Sequence, residues 1–216
     1  MTARDDILGR VRQGVGKGDF AQRKAAAEAL LAARVRGPQP LLSGDLVERF
    51  RGKAESLSST LESVSDRQVV PAAVARYLAA QRLVMKIVTT PDVADLDWAG
   101  HGMRGAARAA VDADQVGVTG CFCAVAETGT LMLLSAPDSP ATVSLLPETH
   151  IALVDASRIV ATMEDAFALL RAERGEIPRA INFVSGPSRT GDIEQTIVLG
   201  AHGPCRVHLI LIGTPS

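Results

Sequence analysis

The first forty residues carry few apolar positions, and these recur at helical intervals. Ile7, Leu8 and Val11 follow the acidic pair Asp5-Asp6, which suits a helix amino terminus, so residues 3–15 are predicted to be helical. Gly14-Val-Gly-Lys-Gly18 breaks that helix, and Asp19 is placed to cap a second one through the alanine-rich stretch to Arg34. Gly37-Pro-Gln-Pro40 reads as a linker. Residues 1–40 therefore form a helical arm with thin apolar stripes, suited to packing on another surface, a partner chain included.

From Ser43 onward strand-like runs alternate with helical ones. The pattern predicts helices over 46–57, 71–81, 162–174 and 192–199, and strands over 60–64, 83–88, 116–118, 130–134, 150–154, 181–184 and 207–212. Residues 100–110 form a mixed, glycine-broken segment. Such alternation predicts an α/β domain over 41–216: Rossmann-like, with a largely parallel sheet and helices on both faces.

Composition narrows the function classes. Hydrophobic residues make up 47% of the 216 positions but aromatics only 3%, so the core is aliphatic and stacking platforms for single-stranded nucleic acid are excluded. A formal net charge of −1 without a basic block argues against a nucleic-acid or membrane footprint. No apolar run approaches the ~20 residues that span a bilayer. The amino terminus lacks the layout of a secretory signal, and three cysteines do not read as a disulfide framework. A cytoplasmic setting is expected.

Two segments concentrate the candidate chemistry. The first runs from Gly117 through Thr119, Cys121, Cys123 and Glu127 to Thr130. The second runs from Ser185-Gly-Pro-Ser188 through Arg189, Thr190, Asp192 and Glu194 to Ala201-His-Gly-Pro204. Each places small, polar and charged residues at a strand end, and doubly wound sheets bind ligands at the carboxyl ends of their strands. In the second segment an apolar strand runs through Ser-Gly-Pro-Ser into a predicted helix. Free N–H groups at that helix start, with Gly186, Ser188, Arg189 and Thr190, favour a small carboxylate or phosphate. Asp192 and Glu194 lie just inside, as caps, as partners of Arg189, or as a base. Neither a Walker loop nor a dinucleotide fingerprint is present.

Glu127 stands between small residues directly before an apolar strand. It is a candidate nucleophile, general base or ligand clamp, or else a carboxylate paired with an arginine or with backbone N–H groups. Thr119, Thr128 and Thr130 would add hydroxyls, and Gly129 permits close approach. Cys121-Phe-Cys123 has the wrong spacing for a zinc pair, so no metal is expected. His202, in a turn, is a further ligand-binding candidate; His150 opens a strand and reads equally as a structural hydrogen-bonding residue.

Four ordered motifs carry a resemblance. They are Val118-Thr-Gly120 with Ala126-Glu-Thr-Gly-Thr-Leu131; Ser144-Leu-Leu-Pro147 with His150-Ile-Ala152; Asn182 to Glu194; and Leu199-Gly-Ala-His-Gly-Pro204. Together, over residues 60–215, they resemble the lactate utilization protein C family, whose domain is called LUD. The resemblance implies a fold akin to the ribose-5-phosphate isomerase, glucosamine-phosphate deaminase and coenzyme A transferase group. It also implies a part in oxidising L-lactate to pyruvate beside two larger companion proteins, one of them iron–sulfur-binding. The cysteines for such clusters are missing from this chain, so no cofactor is expected in it and clusters are expected only in the partners. Coenzyme A transferases of that fold use a Glu followed closely by Gly, similar to Glu127-Thr-Gly129. The chain departs from the family pattern at Ala141-Thr-Val143, where many members carry a basic residue.

On this reading Glu127 and Asp192 are the candidate catalytic residues, and Thr119, Thr128, Gly129, Gly186, Ser188, Arg189, Thr190, Glu194 and His202 the ligand-binding ones. The chain would supply a carboxylate-binding site or an assembly surface to a lactate-oxidising system. The alternatives are a free-standing isomerase- or transferase-like enzyme acting on a sugar phosphate, acyl-CoA or folate-like anion, and a non-catalytic scaffold or sensor.

Overall fold

The computed structural model describes residues 2–15, 19–191 and 198–213, and divides into two compact units, Met1–Leu41 and Leu42–Ser216. The first unit holds two helices, α1 (Ala3–Val15) and α2 (Phe20–Ala33). The Asp19 side chain caps α2 by accepting from the Ala21 N–H. Neither helix buries a residue.

The second unit is built on a six-stranded parallel sheet. Its strands are β1 (Thr60–Val64), β2 (Lys86–Thr89), β3 (Arg104–Ala107), β4 (Val116–Thr119), β7 (Thr149–Asp155) and β12 (Arg206–Ile212). They stand in the order β1-β12-β7-β4-β2-β3. A smaller sheet, ordered β8-β5-β6-β9, is made of β5 (Cys123–Val125), β6 (Thr130–Leu134), β8 (Ile159–Val160) and β9 (Ile181–Val184). A short ribbon pairs β10 (Arg189–Thr190) with β11 (Val198–Leu199). Helices α3 (Leu46–Ser56), α4 (Val70–Ala80), α5 (Thr142–Leu145) and α6 (Met163–Arg174) complete the unit.

Side-chain alternation along the central strands sorts the core into layers. Ile151 and Leu153 of β7 and Ile210 of β12 face α4, packing with Val70, Val74 and Leu78. Their neighbours Ala152, Val154, Leu209 and Leu211 face the other way, onto Phe50 and Ala54 of α3 and onto the small sheet through Ala124, Ala126, Leu131 and Leu133. Cys123, Val125 and Met132, on the far side of the small sheet, pack on Ala166 and Leu170 of α6. The small sheet is thus apolar on both faces, which explains its unbroken run of buried residues.

The helices start where their sequences say. Asp45 accepts from the Val47 and Glu48 N–H groups, Pro71 sits in the first turn of α4, and Thr162 and Asp165 form a reciprocal capping box on α6. Among the described residues no helix is long and apolar enough to cross a membrane.

The loop between β3 and β4 is held by Asp114, which is nearly fully buried. Arg108 grips its carboxylate with both guanidinium nitrogens at 2.6 and 2.8 Å, and the Val111 N–H donates at 2.9 Å. The hydrogen bonds from Arg108 hold the Asp114 carboxyl down at about 2, against the cost of burial. Asp114→Asn is expected to lose about 1–3 kcal/mol of stability in urea titrations at pH 7. Because the folded value lies below the unfolded one, this contribution is present above pH ~4 and is lost as pH falls towards 2.

Candidate functional site

The two polar segments do meet. Strands β6 and β9 run antiparallel with Leu131 opposite Val184, which brings Thr130 beside Ser185. The Thr130 hydroxyl donates to Thr128 Oγ1 at 2.7 Å and lies 2.7 Å from Ser185 Oγ, so Ser185 donates to it. Both loops then rest on the carboxyl end of α3. A Cβ on Gly129 would lie 2.7 Å from the Ala54 nitrogen, and one on Gly186 would lie 2.3 Å from the Leu57 carbonyl oxygen. Arg189 Nη2 donates to the Leu57 carbonyl at 3.0 Å and to the Ser58 hydroxyl. The Ser188 N–H donates to the Pro204 carbonyl at 2.8 Å, tying the ribbon to the lead-in of β12.

This junction differs from expectation in place and in kind. It lies on the side of the sheet where β1 and β12 begin, not at the strands' carboxyl ends, because the β5–β6 hairpin carries its tip back past the sheet. Of the helix expected over 192–199, the described residues Val198 and Leu199 are strand instead, pairing with the extended Thr190 and Arg189. The helix end actually present is the carboxyl end of α3, whose carbonyls favour the Arg189 cation rather than a bound anion.

The remaining candidates distribute as follows. Glu127 is half-buried; its N–H donates to the Ala161 carbonyl at 3.0 Å, and its carboxylate has no hydrogen-bond or ion-pair partner among the described residues. Thr128 is exposed and Thr190 half-buried. His202 is exposed in the turn whose Gly203 approaches Ser188. Asp192 and Glu194, and most of the helix expected over 192–199, lie outside the described residues. Lys53, against Gly129, is a second cation at the junction that the motifs did not single out; its only signal was a basic residue in the last turn of α3.

Among the described candidates, Thr119 lies elsewhere. It lines a cavity of about 800 Å³ at the carboxyl ends of β2 and β4, walled on one side by the small sheet and by the segment after α6. Here the topology switches direction: β2 leads outward to β3, whereas β4 leads the other way to β7. Behind Thr119, the fully buried His150 places Nε2 2.9 Å from its hydroxyl, while Nδ1 has no partner. Burial pushes the imidazole down to about 4, so it is neutral at pH 7. Leaving a lone pair unpaired is cheaper than leaving an N–H unpaired, which places the proton on Nε2 and makes Thr119 the acceptor. The hydrogen-bonding role that the sequence left open for His150 is thus filled by its bond to Thr119.

Cys121, also on the cavity wall, donates from Sγ to the Cys123 carbonyl at 2.8 Å, and burial raises its thiol far above the ordinary range. Burial likewise raises Cys123, to about 11. Among the described residues no group of three His, Cys, Asp or Glu side chains is placed to hold a metal.

The family model of the LUD domain matches residues 47–212, which include both the junction and the cavity. The chain belongs to the LUD domain family. The sequence is similar to lactate utilization protein C of an Exiguobacterium strain, at 31% identity over 231 aligned positions that cover 98% of this chain and 96% of the relative. The protein of the same description from Bacillus subtilis is 42% identical over 100 residues, 45% of this chain and 42% of that one. Among solved structures, a DUF162 family protein of Deinococcus radiodurans superposes with a TM-score of 0.59 at 26% identity, over 81% of this chain and all of the other. The LUD domain is thus the whole α/β unit, apart from a few residues at its ends.

Proposed function

We propose that this protein takes part in lactate utilization, as a member of a multi-protein system that oxidises L-lactate to pyruvate. The observation that carries the proposal is similarity over nearly the full length of both chains to a protein described as lactate utilization protein C. Two larger companion proteins, one holding iron–sulfur clusters, would move the electrons. This chain would bind the small carboxylate in the cytoplasm at the junction of its two motif loops. Arg189 is exposed there, and its two bonds among the described residues leave from Nη2. Lys53 adds a second cation, and the Glu127 carboxylate, without a partner among the described residues, is available to accept a proton from a hydroxyl.

The test is growth on L-lactate as sole carbon source, in a strain lacking the chain and complemented with variants. Glu127→Gln is expected to abolish growth while leaving the melting temperature near that of the unmodified chain. Arg189→Ala is expected to slow growth severely and to lower stability by about 1 kcal/mol through its lost bonds to Leu57 and Ser58. Full growth with both variants would sink the carboxylate role. Full growth without the chain would sink lactate utilization itself.

A further inference from the structure

The switch-point cavity plays no part in that reading, and its lining has a definite chemical character. Around it Arg158 and Glu173 neutralise each other through two hydrogen bonds of 3.0 and 2.9 Å. The other charged side chains on the wall, Asp92, Asp138, Glu176 and Arg174, have no ion-pair partner among the described residues. Three carboxylates against one guanidinium make the cavity hostile to a phosphate or a small acid. They ask instead for a ligand that donates hydrogen bonds.

The placement of one carboxylate is specific. Asp92 follows β2 and reaches across the crevice towards the end of β4, where a Cβ on Gly120 would lie 1.8 Å from Asp92 Oδ2. Only a residue without a side chain leaves the carboxylate that room. The opposite wall is apolar, with Phe122, Leu133, Leu134 and Ile177, and Ile177 stands well out into solvent. A volume of about 800 Å³ is the size of sites that enclose drug-sized ligands, far more than a three-carbon acid fills.

We propose that this cavity binds an uncharged ligand of nucleoside size, with the vicinal hydroxyls of a sugar ring on Asp92 and a flat apolar ring against Leu134 and Ile177. A carboxylate at a strand end in a switch-point crevice accepts both hydroxyls of such a pair, and no anion would gain from it. The shared chemistry is a sugar diol bearing an apolar ring, so nucleosides and aryl glycosides are both candidates.

Thermal-shift and calorimetric titrations of the full chain with adenosine, phenyl β-ribofuranoside, adenosine monophosphate and L-lactate test this, each repeated on Asp92→Asn. Asp92 is exposed, and in its described hydrogen bond the backbone carbonyl accepts from Arg67, so the variant keeps its fold. Adenosine or the aryl riboside is expected to bind and raise the melting temperature, and Asp92→Asn to weaken that binding roughly ten-fold or more. Adenosine monophosphate is expected to bind no better than adenosine. The proposal is overturned if neither sugar compound binds at millimolar concentration, if Asp92→Asn binds as well as the parent, or if the monophosphate binds tighter. Lactate binding that Asp92→Asn abolishes would overturn it too. Lactate binding unaffected by Asp92→Asn leaves both sites as assigned here, so the two readings fail separately.

Discussion

Stability is expected to fall steeply as pH drops from 6.5 towards 4, and two buried histidines are the cause. His150 on β7 is fully buried and His208 on β12 nearly so. His208 Nδ1 lies 2.8 Å from the Thr60 hydroxyl, and its ring stacks on Tyr77 with centroids 3.9 Å apart. Each imidazole keeps one ring nitrogen without a partner, so protonation would strand a buried N–H as well as a charge. Burial lowers both from 6.5 to about 4. Between these values the unfolded chain holds the proton and the folded one does not, so stability rises with pH across the window and is lost as pH falls.

A shift of this size corresponds to about 3 kcal/mol for each histidine, against the 5–15 kcal/mol that typically separates folded from unfolded. Urea titrations at half-unit pH steps read the slope directly. His150→Asn, and His208→Phe, which keeps the stack on Tyr77, should each remove about half of it. A flat profile between pH 7 and pH 5 would contradict the account. The Asp114 contribution falls below this window and does not confuse the two.

Gly186→Ala is expected to cost about 2–4 kcal/mol and to abolish function with it. The backbone at Gly186 has φ +80, which an L side chain tolerates poorly, and the added methyl would lie 2.3 Å from the Leu57 carbonyl oxygen. That oxygen belongs to the end of α3, so relief requires the loop to lift away. Lifting separates Arg189 from Leu57 and Ser58 and draws Ser188 from Pro204. Gly191→Ala is the control: nothing lies within 4 Å of its added Cβ, and its effect should stay within about 0.5 kcal/mol. Equal melting temperatures for the two variants would mean that the loop is not held against α3.

The elements that sequence made legible are those with a strong local signal. Capping residues and apolar periodicity marked α3, α4 and α6, and the aliphatic runs marked β1, β4, β7 and β12. The small sheet was less legible. β5 and β8 are three and two residues long, too short for a period to register, and β6 and β9 read as further members of a single sheet. The side of the sheet on which the motifs fall was hidden for a related reason. A segment of polar and small residues marks a strand end, but which end depends on whether the strand belongs to the parallel sheet or to an antiparallel hairpin. Thr119 and Glu127 are eight positions apart, yet β5 carries the chain from one side to the other. The partner of His150, and the place of Asp92 against Gly120, could not be read from sequence because both come from tertiary packing alone.

The position of β12 also governs how the protein can be made. It is the last of the described strands in sequence but stands between β1 and β7, bonded to both. Thr60 therefore waits for His208 before β1 has any neighbour in the sheet. During synthesis β7, β4, β2 and β3 can assemble first, with one edge of β7 left open and β1 unattached. Such an edge invites pairing with another chain. A chain stalled before Arg206 would thus present an aggregation-prone sheet of four strands rather than the closed six. Closure of the sheet waits until Arg206–Ile212 have been made, long after β1, and long-range strand pairing of this kind folds slowly.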